Sequence, residues 1–271
     1  MSDTYISDEN GIKDKVIPGR LKSVVVNKWL TISYAGLSDQ AIDAIRAIHS
    51  MHDITTQGVV NYLFDVACQY ESQLDFILCS HEHDVRLVKI LSSGIYEGSD
   101  HYWIGNIEAA NAILTLFKDN LEKDLNFINF PDQNFIVESK FRSAFSKYMR
   151  ESGCEGVGGV VMDCLSSPYG HCYQTYSSSF SWDVIDLGSV DYSSLQEEHK
   201  SGMYHYSYNV VSLDCRGEGI VGFYLDQAQI GFIYDPIRLD EALAVRKNCL
   251  NLESFTNFFN DYAYISMYDQ V

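Results

Sequence analysis

Arg20-Leu21-Lys22-Ser23-Val24-Val25-Val26-Asn27 and, two residues on, Leu30-Thr31-Ile32-Ser33-Tyr34-Ala35-Gly36 decide how this chain is read. Val24 to Val26 and Leu30 to Tyr34 are β-branched and aromatic runs of strand length. Ser38-Asp39 then opens a helix expected through Ile48. Ser38 serves as its N-cap, and Ile42, Ile45 and Ile48 share one helical face. Upstream, Asp3-Thr4-Tyr5-Ile6-Ser7-Asp8 opens a short strand, and a polar loop ending at Pro18-Gly19 joins it to the Lys22 run.

Further along, a second helix is expected over Gln57–Gln69, with Val60, Leu63, Phe64 and Ala67 on one side. Strands follow at Leu74–Cys79 and Val85–Leu91. Asn106 caps a helix that turns Ala109, Ala110, Ile113, Leu114, Phe117 and Leu121 inward. Another helix over Asn134–Arg150 sets Val137, Phe141, Phe145 and Met149 at four-residue spacing. The second half turns to strands at Val157–Leu165, Tyr204–Leu213, Gly219–Leu225 and Gln229–Tyr234, and an aromatic-rich helix over Leu252–Tyr262 closes the order. Helices clustered between two groups of strands fit an α/β (α+β) fold, a four-layer αββα sandwich of two antiparallel sheets. No internal repeat stands out.

The order of the Lys22 strand, the strand ending in Ala35-Gly36 and the helix after it resembles the N-terminal nucleophile (Ntn) hydrolase fold of proteasome β-type subunits and their bacterial relatives. Tyr102-Trp103-Ile104-Gly105-Asn106 is similar to another recurring element of those relatives, and the likeness covers roughly the first 125 residues. The resemblance implies roles residue by residue. Asp3 is the buried carboxylate that holds the lysine, Lys22 the lysine beside the nucleophile, and Gly36 the backbone N–H donor to the oxyanion. In such a fold a free α-amino group is the base for its own hydroxyl or thiol. The nucleophile itself is expected about one strand upstream of Asp3. Three accounts stay open: a nucleophile strand ahead of this sequence, a scaffold without the chemistry, or Ser2 exposed by removal of Met1. The resemblance also implies a homo-oligomer and a peptide or small amide substrate.

Composition agrees with a single domain over residues 1–271. With 46% hydrophobic and 13% aromatic residues the chain can bury a large core, and its four prolines mark no linker. No apolar stretch is long enough to span a membrane, and no basic-plus-apolar leader is present, so the expectation is a cytoplasmic protein with no membrane partner. Seven cysteines without framework spacing read as reduced thiols. The net charge of −18 repels phosphate backbones and anionic lipid, so nucleic acid is not an expected partner.

Other strings invite chemistry. His81-Glu82-His83-Asp84 offers four metal-ligating side chains in a row, but consecutive residues between two strands point to opposite faces. A polar turn is therefore expected there, and no metal site. His49 and His52 lie at the end of the first helix, where a cationic side chain complements the dipole. Ser166-Ser167-Pro168-Tyr169-Gly170-His171-Cys172-Tyr173 supports two readings. One is a hydrolase centred on Cys172, with His199 or His205 as base. The other is a tight Pro-Gly turn joining two strands. Gly156-Val157-Gly158-Gly159 lacks the spacing of a dinucleotide fingerprint, so no cofactor is expected. Tyr204, Tyr206 and Tyr208 give one strand an aromatic face, suited to a sheet–sheet core or an oligomer contact.

Overall fold

A computed structural model describes residues 19–82, 84–124, 133–151, 162–175, 177–183, 205–215, 218–225, 229–240, 242–245 and 251–268. Over these the chain is mixed α/β, with five helices and antiparallel strand pairing. Its first elements are β1 (Ser23–Asn27), β2 (Leu30–Gly36), α1 (Ser38–Ser50), α2 (Thr56–Gln69), β3 (Leu74–Ser80), β4 (Arg86–Leu91) and β5 (Gly94–Tyr96). Then come α3 (Ile107–Asp124), α4 (Gln133–Glu151), β6 (Cys164–Ser167) and β7 (Gly170–Tyr173). The remainder is β8 (Ser177–Asp183), β9 (His205–Cys215), β10 (Ile220–Leu225), β11 (Ile230–Tyr234), β12 (Leu243–Val245) and α5 (Leu252–Tyr268). The residues form two compact units. One takes the chain up to Gln174 with Asp214–Ile220 and Tyr234–Leu243; the other takes Thr175–Leu213, Val221–Ile233 and the chain from Ala244 onward.

In the first unit, β1-β2-β3-β4-β5 lie side by side in sequence order as one antiparallel sheet. Strand alternation sends Val24, Val26, Ile32, Tyr34, Phe76, Leu78, Val88 and Ile90 to one face. Ala41, Ile42, Ile45 and Ile48 of α1 and Val59, Val60, Leu63 and Ala67 of α2 close over that face as a buried cluster. The driving force is removal of apolar surface from water, at roughly 25 cal/mol per Å2 buried. Helices α3 and α4 share a smaller cluster in which Ile113, Ala144 and Phe145 are buried against Trp103, Phe117 and Phe141.

A separate hairpin, β6–β7, turns at Pro168-Tyr169, the Pro-Gly turn expected of that string. Its Tyr173 hydroxyl accepts the Val25 N–H at 3.0 Å and donates to the Ser23 carbonyl at 3.1 Å. Those are groups that the free edge of β1 would otherwise leave open.

In the second unit the strand order is β12-β11-β10-β9-β8. Helix α5 lays Phe255 and Phe259 across glycines. A Cβ at Gly231 would stand 2.1 Å from the Phe255 ring, and one at Gly222 would stand 2.8 Å from Phe259. Phe255 also stacks on Tyr224, with ring centroids 5.7 Å apart. Glycine in these two strands is thus what lets the aromatic helix approach.

Several expectations change. Leu37, not Ser38, is the N-cap of α1, and no side chain caps it. The reason is that the chain leaves β2 directly into the helix, with the Leu37 N–H still bonded to the Gln73 carbonyl at 3.1 Å. Thr55 does cap α2, accepting the Gly58 N–H, and Asn106 caps α3, accepting the Ala109 N–H. On α4, Phe145 is buried but Val137 is 48% exposed. A four-residue step drifts about 40° around an α-helix, so a long series at that spacing cannot share one face. The strand expected over Val157–Leu165 overlaps β6 only at Cys164 and Leu165, while residues 152–161 lie outside the described set. Strands β5, β8 and β12 were not expected.

Candidate functional site

Of the residues given roles by the resemblance, Lys22 and Gly36 lie at one end of the β1–β2 pair. Lys22 is half-buried just before β1, and its carbonyl accepts the Tyr34 N–H at 2.9 Å. Gly36 ends β2 at the surface, with φ +103°, in the left-handed range that favours glycine. A Cβ there would stand 1.8 Å from the Gln73 carbonyl oxygen, so packing alone already demands glycine. Asp3 and Ser2 lie outside the described residues.

A second site stands on the other face of the same sheet. Thr31 and Cys79 are direct partners in the β2–β3 register, and His81 follows Cys79 by two residues. The period of two puts all three on the face opposite the helices. His171 reaches them from β7. The β1–β2 turn holds both histidine backbones. The Lys28 carbonyl accepts the His171 N–H at 2.8 Å, and the adjacent Trp29 carbonyl accepts the His81 N–H at 3.0 Å. The Trp29 N–H in turn bonds to Asn27 Oδ1 at 2.8 Å, which stiffens the turn.

The side chains then form a continuous chain of contacts. Thr31 Oγ1 is 2.8 Å from His171 Nδ1, and His171 Nε2 is 2.9 Å from His81 Nδ1. The imidazoles meet edge to face, with centroids 5.1 Å apart. Ser166 Oγ lies 3.4 Å from His171 Nδ1, and Cys164 Sγ lies 3.4 Å from Thr31 Oγ1. Cys79 Sγ and one ring nitrogen each of His81 and His171 all fall within 4.8 Å of one another.

Burial sets the protonation states. His171 is 1% exposed. Desolvation, with His81 adding to it, holds its pKa down to about 4, so the ring is neutral near pH 7. Burial pushes the Cys79 thiol up against a hydrogen bond from Ser166, and pushes Cys164 up to about 12. Both are therefore thiols rather than ready nucleophiles. Cys172 adjoins His171 but points to the opposite side of the ribbon, and both ring nitrogens of His171 already have short partners in Thr31 and His81. His199 lies outside the described residues, as does the side chain of His205.

Among the described residues of His81-Glu82-His83-Asp84, His81 faces the site, Glu82 accepts from Thr56 Oγ1 at 2.8 Å and Asp84 is exposed; His83 lies outside the described residues. At the end of α1, burial first and Arg238 second lower the His49 pKa. This shift runs against the cationic role expected of that residue. The legible signal for the histidine pair was Cys79-x-His81, two ligand types one strand period apart. The arrival of His171, 90 positions later, has no local signature. Cys68, Cys79, Cys164 and Cys172 are not joined in disulfides. Among the described residues, no helix is long and apolar enough to cross a membrane. Comparison with known proteins adds no identity: no protein-family model matches the chain, and no curated protein matches it.

Proposed function

We propose that this chain is an Ntn-hydrolase-like protein of αββα layering that hydrolyses amide bonds, with a peptide or small amide as substrate. The observation that supports the reading is the β1–β2 pair. Lys22 leads into one strand, Gly36 ends its antiparallel partner in a left-handed conformation, and α1 begins two residues later. In that arrangement Lys22 would hold the nucleophile's proton chemistry in place, and the exposed Gly36 backbone would face a developing oxyanion. Treating the protein from its natural source with an electrophilic amide-hydrolase probe tests this directly. Labelling of an N-terminal Thr, Ser or Cys is expected, and Lys22→Met should cut the labelling rate by roughly 100-fold or more, the range of general acid–base contributions. An unlabelled wild-type chain would contradict the reading.

A second reading, a non-catalytic assembly or binding subunit on the same scaffold, draws support from Gly36 itself. Its proximity to the Gln73 carbonyl accounts for the glycine with no reference to an oxyanion. Under that reading Lys22→Met alters assembly or stability, and there is no labelling to lose.

A further inference from the structure

We propose that Cys79, His81 and His171 form a binding site for a zinc-class divalent ion. A thiol and two imidazoles are the donors that borderline-soft zinc prefers over magnesium or calcium, which take oxygen. The spacing suits it. Zn–S near 2.3 Å and Zn–N near 2.0–2.1 Å place tetrahedral donors roughly 3.3–3.6 Å apart. The His81–His171 nitrogen pair, at 2.9 Å, is inside that separation, and all three donor atoms lie within 4.8 Å of one another, a limit about 1.2 Å beyond it. Rotation of the two rings and of the Cys79 side chain would bring the donors to that separation.

The surroundings are those of a prepared ligand set. Thr31 Oγ1, 2.8 Å from His171 Nδ1, can accept the Nδ1–H, which fixes the tautomer that leaves the Nε2 lone pair for metal. Lys28 and Trp29 hold the two histidine backbones, and Cys79 is pinned by its register with Thr31. Both Cys79 and His81 are only partly buried, which leaves an approach for the ion. On binding, the hydrogen bond between the rings is exchanged for two Zn–N bonds. The Cys79 thiol gives up its proton to solvent, so binding releases acid and strengthens as pH rises. Three protein ligands leave the fourth tetrahedral position to water or an exogenous group. This site is independent of Lys22 and Gly36, and it stands or falls apart from the hydrolase reading.

The test is titration of the reduced, chelator-treated full chain with Co2+ and with Zn2+. The expected result is saturation at one ion per chain, a thiolate-to-cobalt charge-transfer absorption, and displacement of cobalt by zinc. Cys79→Ser should remove the charge-transfer absorption. His81→Gln should weaken binding, and Thr31→Val should weaken it roughly 10- to 100-fold through loss of the orienting hydrogen bond. Cys68→Ser, at an exposed thiol on α2 whose sulfur lies 3.7 Å from the Ser92 carbonyl, should bind as the wild type does. Circular dichroism on each variant separates lost binding from lost fold. Absence of a thiolate absorption in the folded wild type, or its persistence in Cys79→Ser, overturns the proposal.

Discussion

Adding a proton to His171 would charge a ring that is sealed from water and lies against a second imidazole. Its folded pKa of about 4 sits below the 6.5 of a free histidine. Between those values the unfolded chain binds more protons than the folded one, so stability is present in full above pH 6.5 and drains away as pH falls toward 4. Denaturant unfolding of metal-free protein across that range should show a steeper acid loss for the wild type than for His171→Gln. Gly36 makes a complementary prediction. Gly36→Ala forces a side chain into left-handed backbone beside the Gln73 carbonyl, and it should cost about 1–3 kcal/mol in unfolding free energy. At this scale the sequence was informative about position, with Lys22 just ahead of one strand and Gly36 at the end of the next. It was silent where two distant strings had to meet. Neither His81 nor His171 announces the other, because their contact is made by the β1–β2 turn rather than by spacing along the chain.

Elements were more legible than residues, for a physical reason. Burying one face of a sheet against helices imposes a period of two on β1 to β4 and of 3.6 on α1 and α2, and both periods are written in the apolar residues. The three-residue strands β5 and β12 are too short to show a period at all. The Ser166–Tyr173 turn was readable because Pro168 and Gly170 punctuate it. What it packs against was not readable, since Tyr173 satisfies the β1 edge through a hydroxyl rather than through a pattern. In the second unit the pairing of glycine with aromatic rings is the element-scale constraint. Gly231→Ala should push Phe255 off β11 and lower stability by about 1–3 kcal/mol. A fall in the denaturant midpoint, with the far-ultraviolet spectrum retained, is the expected observation.

Across the whole molecule, two compact units carry a net charge of −18, and that excess favours solubility and disfavours polyanionic partners. The described residues form a mixed α/β fold with antiparallel strand pairing, and the proposed amide-hydrolase reading turns on the residue that would act as nucleophile. Homo-oligomerisation belongs to the same proposal. Intact mass with N-terminal sequencing of the protein from its natural source tests that reading most directly. The account predicts a mature N-terminus that is Thr, Ser or Cys. Any other N-terminal residue on the mature chain would contradict it, and the binding or assembly reading would take its place.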